Sequence, residues 1–306
     1  YPEGLVYTLF TGFTEAWQAS WPAIGRDAVT VVSCTDVFKL FQQQSGRGDF
    51  AASEWEDALQ LAQTRLEQPT FLPPIDGNVS GYWSRAGFFR HAEELFDIQG
   101  SVPRVRPNDD GDKLLGITPI AASTDVHRVV EGIADRARQI LTTRLGLEPR
   151  AQMGFTMALS ETCQNIVEHA GRPGWVMAHA YQYRKRLAGR WVAEIVVCDA
   201  GIGFRKSLES GNRRPITDRW GDGLAIETAL IQGVSRFPEP GRGQGLKGTR
   251  GYVGRREGKF TIRSGSSCVG VIPPWDDQVP RQDNLPFFPG AQLRVIVPGN
   301  IVGPVK

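Results

Sequence analysis

The sequence predicts a two-domain α+β protein whose larger part is a sandwich of helices on a mixed, mostly antiparallel sheet. The chain has 306 residues, which is long for one domain and suits two, each with its own core. A polar, turn-rich stretch from Val102 to Asp112 separates the two halves. After that stretch, apolar runs typical of strands alternate with segments of helical periodicity.

The turn-rich stretch sets the predicted domain boundaries. Residues 1–105 are expected to form a small α/β domain, residues 106–112 a linker, and residues 113–306 the larger domain. In the small domain, Val29–Ser33 is predicted to be a buried strand. Residues 79–96 are predicted to form a helix with Tyr82, Phe89 and Phe96 on one side. This domain shows no evident chemistry.

In the larger domain, the first strand is followed by a helix that Ser123 or Thr124 is expected to cap and that Gly146 ends. A second helix covers residues 152–170, and two strands then form a hairpin around Gly189. A further helix, a short helix after Gly245 and three more strands complete the pattern. The predicted strands cover residues 114–120, 175–183, 191–198, 259–263, 268–272 and 292–297, and the later helix covers residues 223–232.

Composition limits the classes of partner. A net charge of +2 with dispersed basic residues is too mild to indicate nucleic-acid binding. The four cysteines have no CxxC spacing, which fits a reducing cytosol and argues against structural zinc. No apolar run approaches the roughly 18 residues that a membrane-spanning helix needs. We therefore expect a cytoplasmic protein that binds neither nucleic acid nor membrane.

The helix over residues 152–170 carries a polar stripe opposite its apolar face. Glu161, Asn165 and His169 follow one another at intervals of four residues and lie away from the predicted core. An amide oxygen one helical turn from a carboxylate suits Mg²⁺ chemistry. The amide can ligate the metal, and the carboxylate can polarise a water or hydroxyl group. Taken alone, the same stripe is also typical of a solvated helix face.

Two glycine-rich segments follow. Asp199 ends an apolar strand and precedes Gly201 and Gly203. Its carboxylate could accept a hydrogen bond from an adenine amino group, and the two glycines would let the base approach the backbone closely because they have no side chains. A second segment has alternating glycines whose bare amides, next to a helix start, could bind phosphate. Its residues are Gly241, Gly243, Gly245, Leu246 and Lys247. Taken alone, the first is also compatible with a strand-ending turn and the second with a surface loop.

In this order, the three segments resemble the GHKL ATPase family, which includes gyrase, a heat-shock chaperone and sensor histidine kinases. Residues Glu161 and Asn165 match its N box. The first glycine box is matched by Asp199, Gly201 and Gly203, and the second by Gly241, Gly243 and Gly245. Residues 290–298 resemble the closing strand of the family, except that Ala291 stands where a threonine is usual. The resemblance covers residues 113–298.

The resemblance implies that the protein binds ATP and Mg²⁺. It implies that Asp199 contacts the adenine amino group, that Asn165 ligates Mg²⁺, and that Glu161 is the general base. The glycines of both boxes, with Leu246 and Lys247, would contact the nucleotide. Residues 204–242 would form a lid over the phosphates, and the glycines in that stretch suit a mobile element.

The layout most resembles that of the anti-sigma-factor serine/threonine kinases, and the first domain is loosely similar to a STAS domain. This resemblance implies a regulatory protein that hydrolyses ATP or transfers its γ-phosphate to a serine or threonine of a protein partner. The alternative is a non-catalytic module in which ATP orders the lid and the ordered lid recruits a partner. In either case we expect a protein partner, and the chain could also form a homodimer.

Overall fold

The computed structural model describes residues 16–20, 29–33, 70–73, 77–93, 97–104, 113–213, 219–237 and 243–300. The chain divides into two units, Tyr1–Gly111 (unit 1) and Asp112–Lys306 (unit 2). Among the described residues, unit 1 has two small sheets and unit 2 has one sheet of seven strands.

In chain order, the described elements of unit 1 are β1 (Ala16–Ser20), β2 (Val29–Ser33), β3 (Thr70–Phe71), α1 (Gly77–Ala86), α2 (Phe88–Ala92) and β4 (Asp97–Ile98). Strand β1 pairs antiparallel with β2, and β3 pairs parallel with β4. The predicted strand at residues 29–33 is therefore confirmed.

The single helix predicted over residues 79–96 is wrong, because the chain forms two helices there. Gly87 has φ of 86°, a left-handed conformation that separates α1 from α2. The break alters which aromatic side chains share a face. Those that pack together, with ring centroids 4.8–6.4 Å apart, are Phe71, Trp83, Phe88 and Phe89. Phe96 of the predicted set lies outside the described residues.

Unit 2 is built on strands of 2–11 residues. They are β5 (Lys113–Ile120), β6 (Gly174–Tyr183), β7 (Arg190–Asp199), β8 (Lys259–Gly265), β9 (Ser267–Val271), β10 (Arg281–Gln282) and β11 (Phe288–Pro298). Their order in the sheet is β10-β9-β8-β11-β7-β6-β5, and each pairing in this order is antiparallel. The predicted α+β class with a mostly antiparallel sheet is thus confirmed.

The described helices of unit 2 are α3 (Ser123–Thr143), α4 (Pro149–Asn165), α5 (Arg184–Leu187), α6 (Gly203–Ser210), α7 (Asp222–Glu227) and α8 (Gln244–Gly254). Except for α5, which belongs to the connection between β6 and β7, they supply the second layer of the sandwich. Two of them continue as π-helical turns. We call Ile166–Ala170, which follows α4, the first π turn, and Thr228–Gln232, which follows α7, the second π turn.

The main core lies between these helices and one face of the sheet. Alternate residues of β7, namely Ala193, Ile195 and Val197, are buried against the helices, as the two-residue period of a strand requires. The apolar face predicted for the helix over residues 152–170 is confirmed, because its members in α4 and in the first π turn are all buried in the same core. They are Phe155, Leu159, Cys163, Ile166 and Ala170.

The start of α3 differs from the prediction. The N-cap is Ala122, and neither Ser123 nor Thr124 caps the helix. The Asp125 side chain instead accepts hydrogen bonds from the backbone N–H groups of Ala121 and Ala122, at 2.9 and 3.0 Å. A carboxylate in the first turn satisfies these donors and complements the helix dipole, so it replaces a hydroxyl cap.

The stretch predicted to be a lid contains packed structure. Between Phe204 and Phe237, the described residues include α6, α7 and the second π turn, and Trp220 packs with Leu208. The Asp222 carboxylate also accepts hydrogen bonds from the backbone N–H and the hydroxyl group of Ser266, at 2.8 and 3.0 Å. These contacts fix α7 to the β8–β9 hairpin. Residues 214–218 and 238–242 of the stretch lie outside the described residues.

Across the part of the chain that the structure describes, no helix combines the length and the apolar character needed to cross a bilayer.

Candidate functional site

The site lies at one end of the sheet, where three neighbouring strands begin or end. Asp199, the last residue of β7, is in register with Gly174 at the start of β6 and with Ala291 of β11. Asp199 follows Ala193, Ile195 and Val197 on the face of β7 that packs against the helices, so the Asp199 carboxylate also faces the helices. An acidic group is thereby held at the edge of the main core.

The turn after β7 is fixed against the end of the first π turn. The backbone N–H of Ile202 donates to the Ala170 carbonyl at 3.0 Å, and the Gly201 N–H donates to Asp199 Oδ1 at 2.9 Å. Gly201 lies so close to Ala170 that a Cβ atom on residue 201 would overlap the Ala170 backbone. Glycine is therefore required here because of the close approach of two backbones.

We expect Gly201→Ala to lower the free energy of unfolding by about 2 kcal/mol or more, since the new methyl group must displace the Ala170 carbonyl. Chemical denaturation of the full chain measures this loss. Gly132→Ala on α3 is the matched control, because a Cβ atom there meets nothing within 4 Å. The control is expected to gain up to about 1 kcal/mol. Equal stabilities of the two variants would contradict the tight contact.

The Asp199 carboxyl group is the most perturbed acid of the site. It is 7% exposed, and burial raises its pKa to about 6, although hydrogen bonds from the backbone N–H groups of Gly201 and Ala291 act in the opposite direction. A buried carboxylate with unused lone pairs is a strong acceptor for a donor that enters the site.

The raised pKa of Asp199 predicts a pH-dependent stability. The folded state favours the protonated carboxyl, so this stabilisation is complete below the ordinary pKa of 3.8 and is lost as the pH rises to about 6. Wild type should therefore lose on the order of 3 kcal/mol relative to Asp199→Asn across this window. Denaturation of both proteins at several pH values tests the sign. A wild type that gains stability relative to the variant over the same window would contradict it.

The end of α4 presents Glu161 and Asn165 to the same region. Asn165 Nδ2 donates to the Glu161 backbone carbonyl at 2.8 Å, which leaves Oδ1 available to a ligand. The first π turn begins directly after Asn165, so the simple four-residue spacing does not extend to His169. The ring centroids of His169 and Phe237 are 5.2 Å apart.

Glu161 is partly exposed, and its carboxylate has no hydrogen-bond or ion-pair partner among the described residues. Partial burial raises its pKa, and the negative charge of Glu168 adds to the effect. It lies directly against Gly245, where a Cβ atom would overlap a carboxylate oxygen. The absence of a side chain at Gly245 thus makes room for Glu161 beside the start of α8.

The first turn of α8 supplies backbone N–H groups. Gly243 is its N-cap with φ of 79°, and a Cβ atom at Gly243 would overlap the Gly233 carbonyl, so only glycine fits this turn. The amides that follow have no partner within the helix, and the dipole of α8, which is 11 residues long, adds positive potential there. This end of the helix is suited to an anionic group.

These features surround one cavity of about 1120 Å³. Its walls come from α4, the first π turn, α6, α8 and the strand ends. Seven of the predicted site residues line it, namely Glu161, Asn165, Asp199, Gly203, Gly243, Gly245 and Leu246. The structure therefore brings together one or more residues from each of the three predicted segments.

Two predicted site residues do not line the cavity, and a third is not among the described residues. Gly201 supports the turn from behind and is not part of the cavity wall. Lys247 is exposed and also does not line the cavity, and its stem passes beside Gly233. Gly241 lies outside the described residues.

The cavity also includes residues that the motifs do not indicate. Arg236 lines it and donates through Nη2 to the Glu168 carbonyl, with its guanidinium 4.7 Å from the centre of the Phe237 ring. Thr249 on α8 also lines it, and its buried hydroxyl has no hydrogen-bond partner among the described residues. Arg236 belongs to the segment after the second π turn, where an arginine between turn residues gives no recognisable sequence signal.

A magnesium ion fits this donor set only together with a ligand. Among the described residues, no three or more His, Cys, Asp and Glu side chains form a cluster that could hold a metal. Protein-bound Mg²⁺ commonly takes one or two protein oxygens and completes its shell with phosphate oxygens and water. The available Oδ1 of Asn165 is compatible with that arrangement.

Neither a protein-family model nor a curated protein sequence matches this chain. The geometry of the cavity and the order of the three segments therefore carry the functional argument.

Proposed function

We propose that this protein is a regulatory protein of the GHKL type that binds ATP with Mg²⁺ in the cavity between α4 and α8. It hydrolyses ATP or transfers the γ-phosphate to a serine or threonine of a protein partner, as anti-sigma-factor kinases do. One observation carries the proposal: a single cavity is lined by Asp199, by Glu161 with Asn165, and by the first turn of α8.

The adenine would lie at the Asp199 end. Ala291 is in register with Asp199, and Leu293 follows on the same face of β11; both line the cavity. Small apolar side chains around one buried carboxylate suit a flat base that carries an amino group. The Asp199 carboxylate would accept a hydrogen bond from that amino group, and the energetic cost of its burial would then be offset.

The phosphates would lie at the Glu161 end. The N–H groups of the first turn of α8 would donate to phosphate oxygens, and Arg236 would add positive charge at the wall. Asn165 Oδ1 would hold Mg²⁺, which when bound neutralises phosphate charge. Asn165 and the start of α8 are also the parts of this end that the sequence predicts, whereas Arg236 is not among the predicted residues.

The proposed chemistry is attack on the γ-phosphorus. The oxygen of a water, or of a partner serine or threonine, forms a bond to phosphorus while the bond to the β,γ-bridging oxygen breaks and ADP leaves. Glu161 accepts the proton of the attacking hydroxyl group. Its raised pKa makes this carboxylate a better base near neutral pH than an ordinary glutamate.

A second candidate is a nucleotide-gated binding module without turnover. It is favoured by one observation, which is that Glu161 has no hydrogen-bond partner among the described residues to orient it as a base. In this candidate ATP binding stabilises one conformation of residues 204–242, and that conformation recruits the partner. For both candidates we propose a STAS-like unit 1, a cytoplasmic location and a protein partner, with a homodimer as a further state to test.

Single-turnover assays with γ-phosphate-labelled ATP and excess full-length chain separate the two candidates. Phosphate release, or transfer of label to an added protein, supports catalysis. Saturable Mg·ATP binding with neither product supports the gated module. If the labelled nucleotide is not retained at all, both candidates are contradicted.

A further inference from the structure

The cavity extends beyond the residues proposed to contact the nucleotide. Its volume of about 1120 Å³ is at the upper end of small-ligand sites, and its lining continues past Glu161 along α4 and α8. We call this extension the channel. It is lined by Arg150, Met153, Gly154, Met157, Gly248, Tyr252 and Arg255.

The channel follows the groove between α4 and α8, which run antiparallel. The start of α8 contacts Glu161 near the end of α4, whereas Tyr252 near the end of α8 donates from its hydroxyl to the Ala151 carbonyl at 2.7 Å. The Tyr252 ring packs against Gly154, and a Cβ atom at Gly248 would meet nothing within 4 Å. The groove is therefore open and lacks side chains on part of its floor.

Two exposed methionines form one wall of the channel. Met153 is 66% exposed and Met157 is 59% exposed. They precede Glu161 at intervals of four residues, so they lie on the same face of α4 as Glu161. Neighbouring exposed apolar side chains indicate an interaction surface, and methionine adapts its shape to different apolar partners.

The charged side chains at the outer end of the channel are mostly basic. Arg150 and Arg255 line it and have no ion-pair partner among the described residues, whereas Arg256 is paired with Glu148 at 3.4 Å. The outer end thus presents two unpaired positive charges beside an apolar wall. Its charge complements an acidic polypeptide and opposes a basic one.

We propose that the channel binds a segment of a partner polypeptide that carries apolar side chains flanked by acidic residues. The methionines contact the apolar side chains, and Arg150 and Arg255 pair with the acids. The segment would then pass beside Glu161, where its serine or threonine could meet the γ-phosphate. This last step rests on the proposed function, but binding in the channel does not.

A displayed library of random 12-residue peptides, selected on the immobilised full chain, tests the proposal. We expect enriched peptides to be acidic and to contain two or more apolar residues. The most enriched peptide, synthesised with a fluorescent label, should lose affinity by at least about tenfold for the double variant Met153→Glu/Met157→Glu. A similar loss is expected for Arg150→Glu/Arg255→Glu and for Gly248→Leu, which fills the open groove.

Matched controls share the chemistry of these changes but lie outside the cavity. Val279→Glu replaces another exposed apolar side chain, Arg184→Glu reverses another exposed positive charge, and Gly254→Leu adds a side chain to another open position of α8. Each control is expected to bind the peptide within about twofold of wild type.

The proposal is overturned if no peptide is enriched, if the enriched peptides are basic, or if the controls lose as much affinity as the channel variants. It is also overturned if wild type sediments as a dimer and Met153→Glu/Met157→Glu as a monomer, because a second copy then covers the channel. ATP titration of wild type and the same double variant separates the two proposals. ATP binding without peptide enrichment contradicts only the channel, and peptide binding without ATP binding contradicts only the proposed function.

Discussion

Glu161→Gln is expected to slow ATP turnover by at least about 100-fold and to change ATP affinity by less than about threefold. Glutamine has the shape of glutamate, so it fits beside Gly245 as Glu161 does, but it cannot accept the proton of the attacking hydroxyl group. Single-turnover rates and equilibrium titrations of the same protein preparations measure the two effects.

Glu131→Gln on α3 is the control for this change, because it neutralises an exposed glutamate that does not line the cavity. Its turnover should equal that of wild type. If Glu161→Gln turned ATP over at the wild-type rate, Glu161 would not be the base. If both variants lost turnover alike, a general effect of charge would explain the result.

Asp199 is expected to determine which nucleobase the site accepts. We expect wild type to prefer ATP to GTP by at least about 100-fold, because guanine offers a carbonyl where adenine has its amino group. That carbonyl would face the buried Asp199 carboxylate. The two oxygen acceptors would repel each other, and no hydrogen bond could form between them. Asp199→Asn is expected to weaken ATP binding and to reduce the preference for ATP by at least about tenfold, since its amide can donate to guanine.

The ratio of the two affinities is a built-in control, because a variant that is merely less stable loses affinity for both nucleotides equally. Far-UV circular dichroism of Asp199→Asn confirms that the compared proteins are folded. An unchanged preference for ATP in the variant would show that Asp199 does not contact the nucleobase.

Much of unit 2 was predictable because its elements are long and strongly periodic. The apolar face of α4 through Phe155, Leu159 and Cys163 follows from helical spacing alone, and all three are buried as expected. The strand before Asp199 was predictable from its continuous apolar run, which the sheet buries on both faces. These patterns reflect burial, which the sequence encodes directly.

Other features depend on contacts between distant segments and leave no periodic signal. The first π turn after Asn165 and the anchoring of α7 by the Asp222–Ser266 hydrogen bonds are of this kind. The exposed Met153 and Met157 are visible in the sequence, because they lie eight and four residues before Glu161 and so share its face of α4. Their meaning required the position of α8, which local sequence does not determine.

Whether the cavity binds ATP is tested by an equilibrium titration of the full chain with ATP, with and without Mg²⁺. We predict saturable binding of one ATP per chain with a Kd below about 1 mM, tightened by Mg²⁺ and weakened by Asp199→Asn. The absence of saturable binding at millimolar ATP, or binding that Asp199→Asn leaves unchanged, would mean that this cavity is not an ATP site.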